Sequence, residues 1–328
     1  MVKWKIIADK DEWNQYVFRS DKASPFQMYE WGASKESQGV LVRRLLYYDE
    51  DNKLYCPVQM MIRKKYFLHI IWVPGGPAGD LTLLARQTIV RSLQEIGIRH
   101  FVLRISSLWK KTENDENILR KLGWTKALHS INSGKSMMLQ VNQDPEINKK
   151  NMSSNWRHNL KRAEKNQLRI EKWSNPEPEE LYKLYIDLEQ RKNIGQQFSR
   201  EEIKYIISNF KHSLHIIKAF DKAGEICGFR GIILTPFVAW DTFAVTTEEG
   251  RKCYASHAIL GAMLAFLRKN DIENYDLSGV DPIGNPGVYN FKKGTGALEI
   301  CYMGEWDVSS SFLWTKALNI LLKFRKGL

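Results

Sequence analysis

The strongest constraint on the fold is an order of secondary-structure signals that occurs twice along the chain. Each copy has three strand segments separated by short turns, followed by a loop, a helix and a further strand. The first copy comprises VLVRRLLYY, LYCPVQMMI, FLHIIWVP, the helix LLARQTIVRSLQEIG and HFVLRIS. The second comprises LHIIKAF, ICGFRGIIL, VAWDTFAV, the helix CYASHAILGAMLAFLRKN and NYDLSG. Because no residue-level repeat accompanies them, the copies predict two units of similar α/β topology.

The boundaries of these units follow from the polar segments between the copies. A chain of 328 residues accommodates two domains, and we predict a first domain over residues 1–148 and a second over 149–309. Residues 310–328 are predicted to form an amphipathic helix that packs back onto the first domain. Attachment of this helix to a membrane interface is the alternative. Its apolar stripe comprises Leu313, Ala317, Ile320, Leu321 and Phe324.

Composition excludes several classes of protein. The longest apolar run has eight residues, far fewer than the roughly 20 that a spanning helix needs, and the N-terminus has no signal-peptide core, so we predict a soluble, cytoplasmic protein. Four scattered cysteines and seven histidines form no ligand pattern, so we predict no metal site. The net charge of +12 favours RNA, nucleotide phosphates or an anionic membrane surface as partners. A soluble basic protein without such a partner is the alternative.

A predicted helix at the start of the second domain concentrates positive charge. In NWRHNLKRAEKNQ, Trp156, Leu160 and Ala163 share one face that can pack on a core. Basic residues occupy another face, with a single acid, Glu164, in the helix. This stripe, which comprises Arg157, Lys161 and Lys165, is interpreted either as a surface that follows nucleic-acid phosphates or as an ordinary solvated face.

The segment YNFKKGTG predicts a short strand that delivers a cation. Strand alternation would place the side chains of Lys292 and Lys293 on opposite faces. Gly294 and Gly296 would let the chain reverse directly afterwards. We therefore expect Lys292 to point into a site and Lys293 to point away from it, unless the segment is simply the end of a strand.

Four segments occur in a fixed order along the chain: PFQMYEWGASK, NWRHNLKRAEKNQLRI, the helix and strand from EEGRKCYAS to YDLSGV, and YNFKKGTG followed by EICYMGEWD. Together they resemble the motifs of the FemABX family of peptidoglycan-bridge aminoacyltransferases. The match departs from the family at Gln167, where the family prefers glycine, and in GTG, where it usually has G-F-G. Ser106 and Ser107 replace an Asp-Pro pair, which removes a carboxylate expected near the acceptor amine.

The resemblance implies two tandem GNAT-like acyltransferase domains, an α/β fold with mixed sheets flanked by helices. The short connection between two predicted helices of the second domain leaves no room for the coiled-coil arm of some members. The implied activity moves an amino acid from aminoacyl-tRNA to an amine, without a cofactor. The implied acceptor is the lysine of a muropeptide on a UDP or lipid carrier, or an amine of a related cell-surface glycan. Lipid carriers would bring the protein to the inner membrane surface; the amino acid and the oligomeric state stay open.

Site residues are carried over from the matching motifs. Lys292 would stabilise the oxyanion, with Phe291 packed beside it, and the basic helix would hold the tRNA through Arg157, Lys161 and Lys165. The remaining substrate-binding residues are Lys35 and Arg191, for acceptor phosphates, and Tyr254 and Tyr289, whose hydroxyls could position either substrate. Asp276 and Asp281 are both candidates to receive the amine proton.

Two other activities compete with this interpretation. An acyl-CoA-dependent N-acyltransferase of the same fold, acting on an amino sugar or a peptide amine, would usually have a G-x-G loop before the long helix, where this chain has EEGRKCYAS. A non-catalytic RNA-binding module would leave the doubled topology and YNFKKG unexplained.

Overall fold

The computed structural model describes residues 2–325, and the contacts among them divide the chain into two units. One unit runs to Lys135 and resumes at Ile300, and the other is Ser136–Glu299. This division differs from the predicted domain ends at 148 and 309. The reason is strand pairing: the strand that begins at Lys135 pairs within the second unit, and the strand that ends at Ser309 pairs within the first. Pairing between distant strands leaves no local trace in a sequence.

The first unit is a mixed sheet with helices packed against it. Its strands, numbered in chain order, are β1 (Lys3–Ile6), β2 (Leu41–Asp49), β3 (Leu54–Lys65), β4 (Leu68–Pro74), β5 (Phe101–Lys110), β6 (Thr125–Lys126) and β13 (Leu298–Ser309). Its helices are α1 (Lys10–Phe18), α2 (Tyr29–Ser37), α3 (Arg86–Glu95), α4 (Glu113–Lys121) and α12 (Phe312–Arg325). The sheet order is β1-β2-β3-β4-β5-β13, with β6 on β13. Only β4 and β5, which α3 connects, are parallel among these strand pairs.

The second unit repeats this arrangement. Its strands are β7 (Lys135–Gln140), β8 (Arg169–Lys172), β9 (Leu214–Phe220), β10 (Ile226–Leu234), β11 (Val238–Thr246) and β12 (Asn274–Gly279), in the order β7-β12-β11-β10-β9-β8. Its helices are α5 (Pro145–Asn151), α6 (Ser154–Lys165), α7 (Pro178–Lys192), α8 (Arg200–Asn209), α9 (Glu248–Lys252), α10 (Ala255–Lys269) and α11 (Pro286–Gly294). The order β9-β10-β11-α10-β12 matches β2-β3-β4-α3-β5, so the predicted topological doubling is confirmed.

Local sequence signals explain where several helices begin. Ser153 caps α6 by accepting a hydrogen bond from the amide of Trp156, and Ser199 forms a capping box with Glu202 at the start of α8. Helix α7 ends at Lys192 with Asn193 in the left-handed region, and seven residues separate it from the start of α8 at Arg200. Within the described residues, no coiled-coil arm separates α7 from α8.

The segment YNFKKG was predicted as a strand, and this prediction is wrong: residues 286–294 form helix α11. Pro286 occupies the first helical turn, and the side chain of Asn285 caps the helix by accepting from the amide of Val288. Successive side chains therefore rotate by about 100° instead of alternating. The expected difference between the two lysines persists, because Lys292 is buried and Lys293 is exposed.

The C-terminal helix belongs to the first unit, but its predicted apolar stripe is not the face that packs. Trp314 contacts Phe67, and Thr315 hydrogen-bonds Ser309. Leu313, Ala317 and Ile320 are exposed. The side chains of Leu321 and Phe324, and residues 326–328, lie outside what the structure describes.

Candidate active site in the second unit

Lys292 is a buried lysine of the second unit. Its side chain is only 7% exposed, and Nζ donates to the carbonyl oxygens of Ser278 (3.1 Å) and Gly279 (2.9 Å). An ammonium group carries three N–H donors. Among the residues that the structure describes, the third donor has no partner, so Lys292 can hydrogen-bond a further acceptor.

A tight arrangement at the end of β12 directs these two carbonyl groups at the lysine. Ser278 lies in the left-handed region, at a φ of 66°, where a residue with a side chain is uncommon. Buried Asp276 holds this conformation, because its Oδ1 accepts from the Ser278 amide at 2.8 Å and from the Ser136 hydroxyl at 2.5 Å. The Ser278 hydroxyl in turn donates to the carbonyl oxygen of Asp241. The conformation that positions Lys292 is therefore built by side chains of the YDLSG segment itself.

A buried charge cluster surrounds this turn. Arg230 on β10 donates from Nη1 to Asp241 Oδ2 on β11 at 3.1 Å, and the Tyr275 hydroxyl donates to Asp241 Oδ1 at 2.8 Å. Arg230 and Asp241 were not singled out in the sequence. Two opposite charges within the apolar strand segments ICGFRGIIL and VAWDTFAV were the signal that could have identified them, since charged residues are rarely buried unless they are paired.

Burial and neighbouring charges act on Lys292 in opposite directions. Burial lowers the pKa of Lys292, while the negative charges of Asp241 and Asp276 raise it and Arg230 lowers it further. Burial also raises the pKa of Asp241, and the charges of Arg230 and Lys292 oppose that rise. The cluster thus holds a desolvated cation next to carboxylates, and a desolvated cation interacts more strongly with a developing negative charge than a solvated one does.

Phe291 packs in an aromatic group behind the lysine. Its ring centroid lies 5.2 Å from that of His257 and 5.9 Å from that of Trp156, and the Arg230 guanidinium lies 5.6 Å from it. Burial lowers the pKa of His257 to about 4, so the imidazole is neutral at pH 7. Phe291 is partly buried and packs α11 against the core of the second unit through this aromatic group.

The two tyrosines have hydrogen-bond partners of their own. The Tyr254 hydroxyl accepts from Arg162 Nη1 at 2.9 Å, and the residue itself caps α10 with a φ of 61°. Tyr289 donates to Glu299 Oε2 at 3.1 Å. Both residues are half-buried, so their hydroxyl groups lie at the surface of the unit and not in its core.

The basic face of α6 divides into two parts. Arg157 donates from Nη1 to the carbonyl oxygens of Lys150 (3.2 Å) and Met152 (2.5 Å), so it satisfies carbonyl groups at the end of α5. Lys161 and Lys165 are exposed, and neither contacts an acidic side chain among residues 2–325. Of the predicted stripe, Lys161 and Lys165 are the fully exposed members, whereas Arg157 also has a structural role that the sequence did not indicate.

The remaining predicted residues lie apart along the chain. Lys35 is on α2 of the first unit, where its Nζ contacts Gln38 and lies 5.3 Å from the Trp31 ring. Arg191 is in the last turn of α7 and donates to the Thr246 carbonyl oxygen. Asp281 is exposed and accepts from the amides of Ile283 and Gly284. Of the two acids considered for the amine proton, only Asp276 is connected to Lys292, through Ser278.

Two further features of the described residues bear on function. No group of three or more His, Cys, Asp or Glu side chains is arranged to hold a metal ion in the described part of the chain. None of the helices that the structure describes is long and apolar enough to cross a bilayer.

No family model and no curated protein sequence matches this chain. Several solved structures match it in fold. FemX superposes with a TM-score of 0.80 at 14% identity and covers 97% of this chain and 100% of its own. L-PGS from Bacillus licheniformis gives 0.56 at 11% identity, with 96% and 97% coverage. A tandem GNAT protein from the clavulanic acid biosynthesis pathway gives 0.54 at 10% identity, with 95% and 99% coverage. The chain therefore has a FemX-like fold of two tandem GNAT-type units.

Proposed function

We propose that the protein is an aminoacyltransferase that moves an amino acid from aminoacyl-tRNA to an amine of a cell-wall precursor or a related surface glycan. The observation that carries the proposal is the buried ammonium of Lys292 with one uncommitted N–H. The similarity to FemX and L-PGS over nearly the whole chain supports this donor class.

The reaction requires little covalent chemistry from the protein. The neutral acceptor amine attacks the ester carbonyl carbon, the C–N bond of the amide forms, and the bond to the ribose oxygen of the tRNA breaks. The proton that the amine loses ends on that ribose oxygen, so the reaction is balanced without a cofactor. Lys292 donates its free N–H to the carbonyl oxygen as negative charge develops on it, an interaction of about 3–4 kcal/mol in the transition state.

The tRNA and the acceptor would be held by residues outside this cluster. Lys161 and Lys165 are solvated cations that a phosphate backbone can pair with. Lys35 and Arg191 are proposed to bind acceptor phosphates on a UDP or lipid carrier, and Tyr254 and Tyr289 to position substrate by hydroxyl. Substitution of Lys35 or Arg191 by alanine should raise the acceptor KM; an unchanged KM would remove that residue from the acceptor site.

Acyl-CoA is the competing donor, because the tandem GNAT protein from the clavulanic acid pathway shares this fold. In GNAT enzymes that use CoA, free backbone amides before the long helix bind the pyrophosphate. Here that segment is helix α9, and the amides of Gly250, Arg251 and Cys253 donate within it, to Thr247 Oγ1, Thr247 O and Glu249 O. These amides are not available to a pyrophosphate, which favours the tRNA donor.

The donor is tested directly by label transfer. Purified protein is given tRNA charged with labelled amino acids, or labelled acyl-CoA, together with UDP-linked muropeptide or an amino-sugar acceptor. We expect labelled amide only with charged tRNA. Transfer from acyl-CoA alone would contradict the proposal and assign the protein to the competing class.

A further inference from the structure

The hairpin between β3 and β4 has an unusual tip. Lys65 and Leu68 pair directly, so Tyr66 and Phe67 alone form the turn. Two-residue turns favour Asn-Gly or similar pairs because positive φ values are needed. Tyr66 instead adopts a φ of 56° and is 84% exposed, while Phe67 is 60% exposed. Two aromatic side chains thus face solvent at a position where they favour neither the turn nor solubility.

A second apolar surface adjoins this tip. The ring of Trp314 on α12 lies 5.5 Å from that of Phe67, and both lie close to His100. The neighbouring side chains of Phe312 and Leu313 are 64% and 69% exposed. We call the hairpin tip and these exposed residues of α12 the aromatic tip surface; it comprises Tyr66, Phe67, Phe312, Leu313 and Ile320.

Basic residues border the aromatic tip surface without acidic partners. Arg63, Lys64 and Lys65 are exposed on the hairpin, and Lys316 is exposed on α12 with its Nζ 4.9 Å from the Phe312 ring. In the described chain none of these four cations forms an ion pair. A groove of about 500 Å³ beside the hairpin is lined by Arg63, Lys64 and His69 together with residues 38–41 and Ile62.

We propose that the aromatic tip surface docks onto an anionic phospholipid bilayer. Exposed aromatic and aliphatic side chains partition into the interfacial region, and the surrounding cations attract anionic headgroups. A folded RNA would use the cations but would gain less from Leu313 and Ile320, so the apolar component favours the bilayer. The inference does not depend on the proposed function, because it concerns residues of the first unit that have no part in Lys292 chemistry.

Vesicle binding by the full-length protein tests the inference. We expect binding to vesicles of phosphatidylcholine mixed with phosphatidylglycerol, and much weaker binding to phosphatidylcholine alone. Lys64→Glu combined with Lys65→Glu should weaken binding to the mixed vesicles on the order of tenfold or more. Phe312→Ser combined with Leu313→Ser should weaken it on the order of tenfold through the lost apolar area.

Matched controls separate the surface from general charge and hydrophobicity. Lys211→Glu with Lys222→Glu, and Leu128→Ser with Ile283→Ser, change exposed residues elsewhere and should leave vesicle binding unchanged. Failure of the wild-type protein to bind mixed vesicles, or equal losses in the control variants, would overturn the inference. Loss of tRNA binding with intact vesicle binding in the Lys64/Lys65 variant would assign the surface to RNA instead.

Discussion

Each unit buries an arginine against carboxylates, but the two clusters differ in how completely they are closed. In the first unit, Arg104 binds Asp307 through Nε (2.6 Å) and Nη2 (2.7 Å), and Nη1 reaches Glu305 (3.1 Å) and the His129 carbonyl oxygen (2.8 Å). Glu305 also accepts from the amides of Ile131 and Asn132. The protein supplies a partner for each nitrogen of this guanidinium.

The cluster of the second unit is open by comparison. Arg230 donates only from Nη1, to Asp241 and weakly to Tyr275, among the partners that the described chain provides. Lys292 keeps one free N–H next to it. The closed cluster satisfies its cation within the fold, whereas the open one leaves an N–H that, under the proposed function, would contact the substrate. The comparison can be tested by removing one cation from each cluster.

The largest change in stability is expected for Arg104→Met. It leaves Asp307 and Glu305 buried without their cation, which costs about 3–5 kcal/mol. Urea unfolding should report this loss as a lower free energy of unfolding. Arg91→Met, which removes an exposed pair with Glu95, should cost no more than about 1 kcal/mol. Equal losses in the free energy of unfolding for Arg104→Met and Arg91→Met would show that the Arg104 cluster does not stabilise the fold.

A smaller loss of stability is expected for Lys292→Met. The carbonyl groups of Ser278 and Gly279 lose a buried donor, which costs about 1–3 kcal/mol. Lys293→Met changes an exposed residue on the same helix and should stay within about 0.5 kcal/mol of wild type. The same urea experiment measures both. If Lys292→Met and Lys293→Met have equal free energies of unfolding, water must replace Lys292 as the donor to the two carbonyl groups.

The stability of the second unit should also depend on pH through His257. Its folded-state pKa of about 4 lies below the usual 6.5, so the unfolded chain binds more protons between these values. The free energy of unfolding therefore falls as the pH falls through this range, by about 1–2 kcal/mol from pH 7 to pH 5. His257→Phe should remove this part of the acid dependence. An unchanged pH profile in that variant would mean that His257 is solvated in the folded protein.

The smallest expected effect is on the salt dependence of tRNA binding. It distinguishes the basic surface of the second unit from that of the first. Lys161→Ala with Lys165→Ala should reduce the slope of log binding constant against log salt for tRNA by roughly 1.4–1.8, for two lost phosphate contacts. Lys64→Ala with Lys65→Ala, on the first unit, should leave that slope unchanged. Equal changes in both variants would mean that tRNA binding reflects net charge alone.

The sequence predicted what depends on local pattern. The doubled topology follows from the order of the strand and helix signals. Helix α11 was missed because Val288, Tyr289 and Phe291 favour strands by composition, while Pro286 and the Asn285 cap decide in favour of a helix. The pairing of Arg230 with Asp241 and the turn at Ser278 depend on contacts between distant segments, which no periodicity reveals.

The central claim is that the open cation of the second unit acts on the reacting ester and the closed one of the first unit does not. The most direct measurement is kcat for aminoacyl transfer by Lys292→Met and Arg104→Met, each corrected for its folded fraction. We predict a fall on the order of 10²–10³-fold for Lys292→Met, as for the loss of one oxyanion donor, and an unchanged kcat for Arg104→Met. Full activity of Lys292→Met, or equal losses in the two variants, would contradict the account.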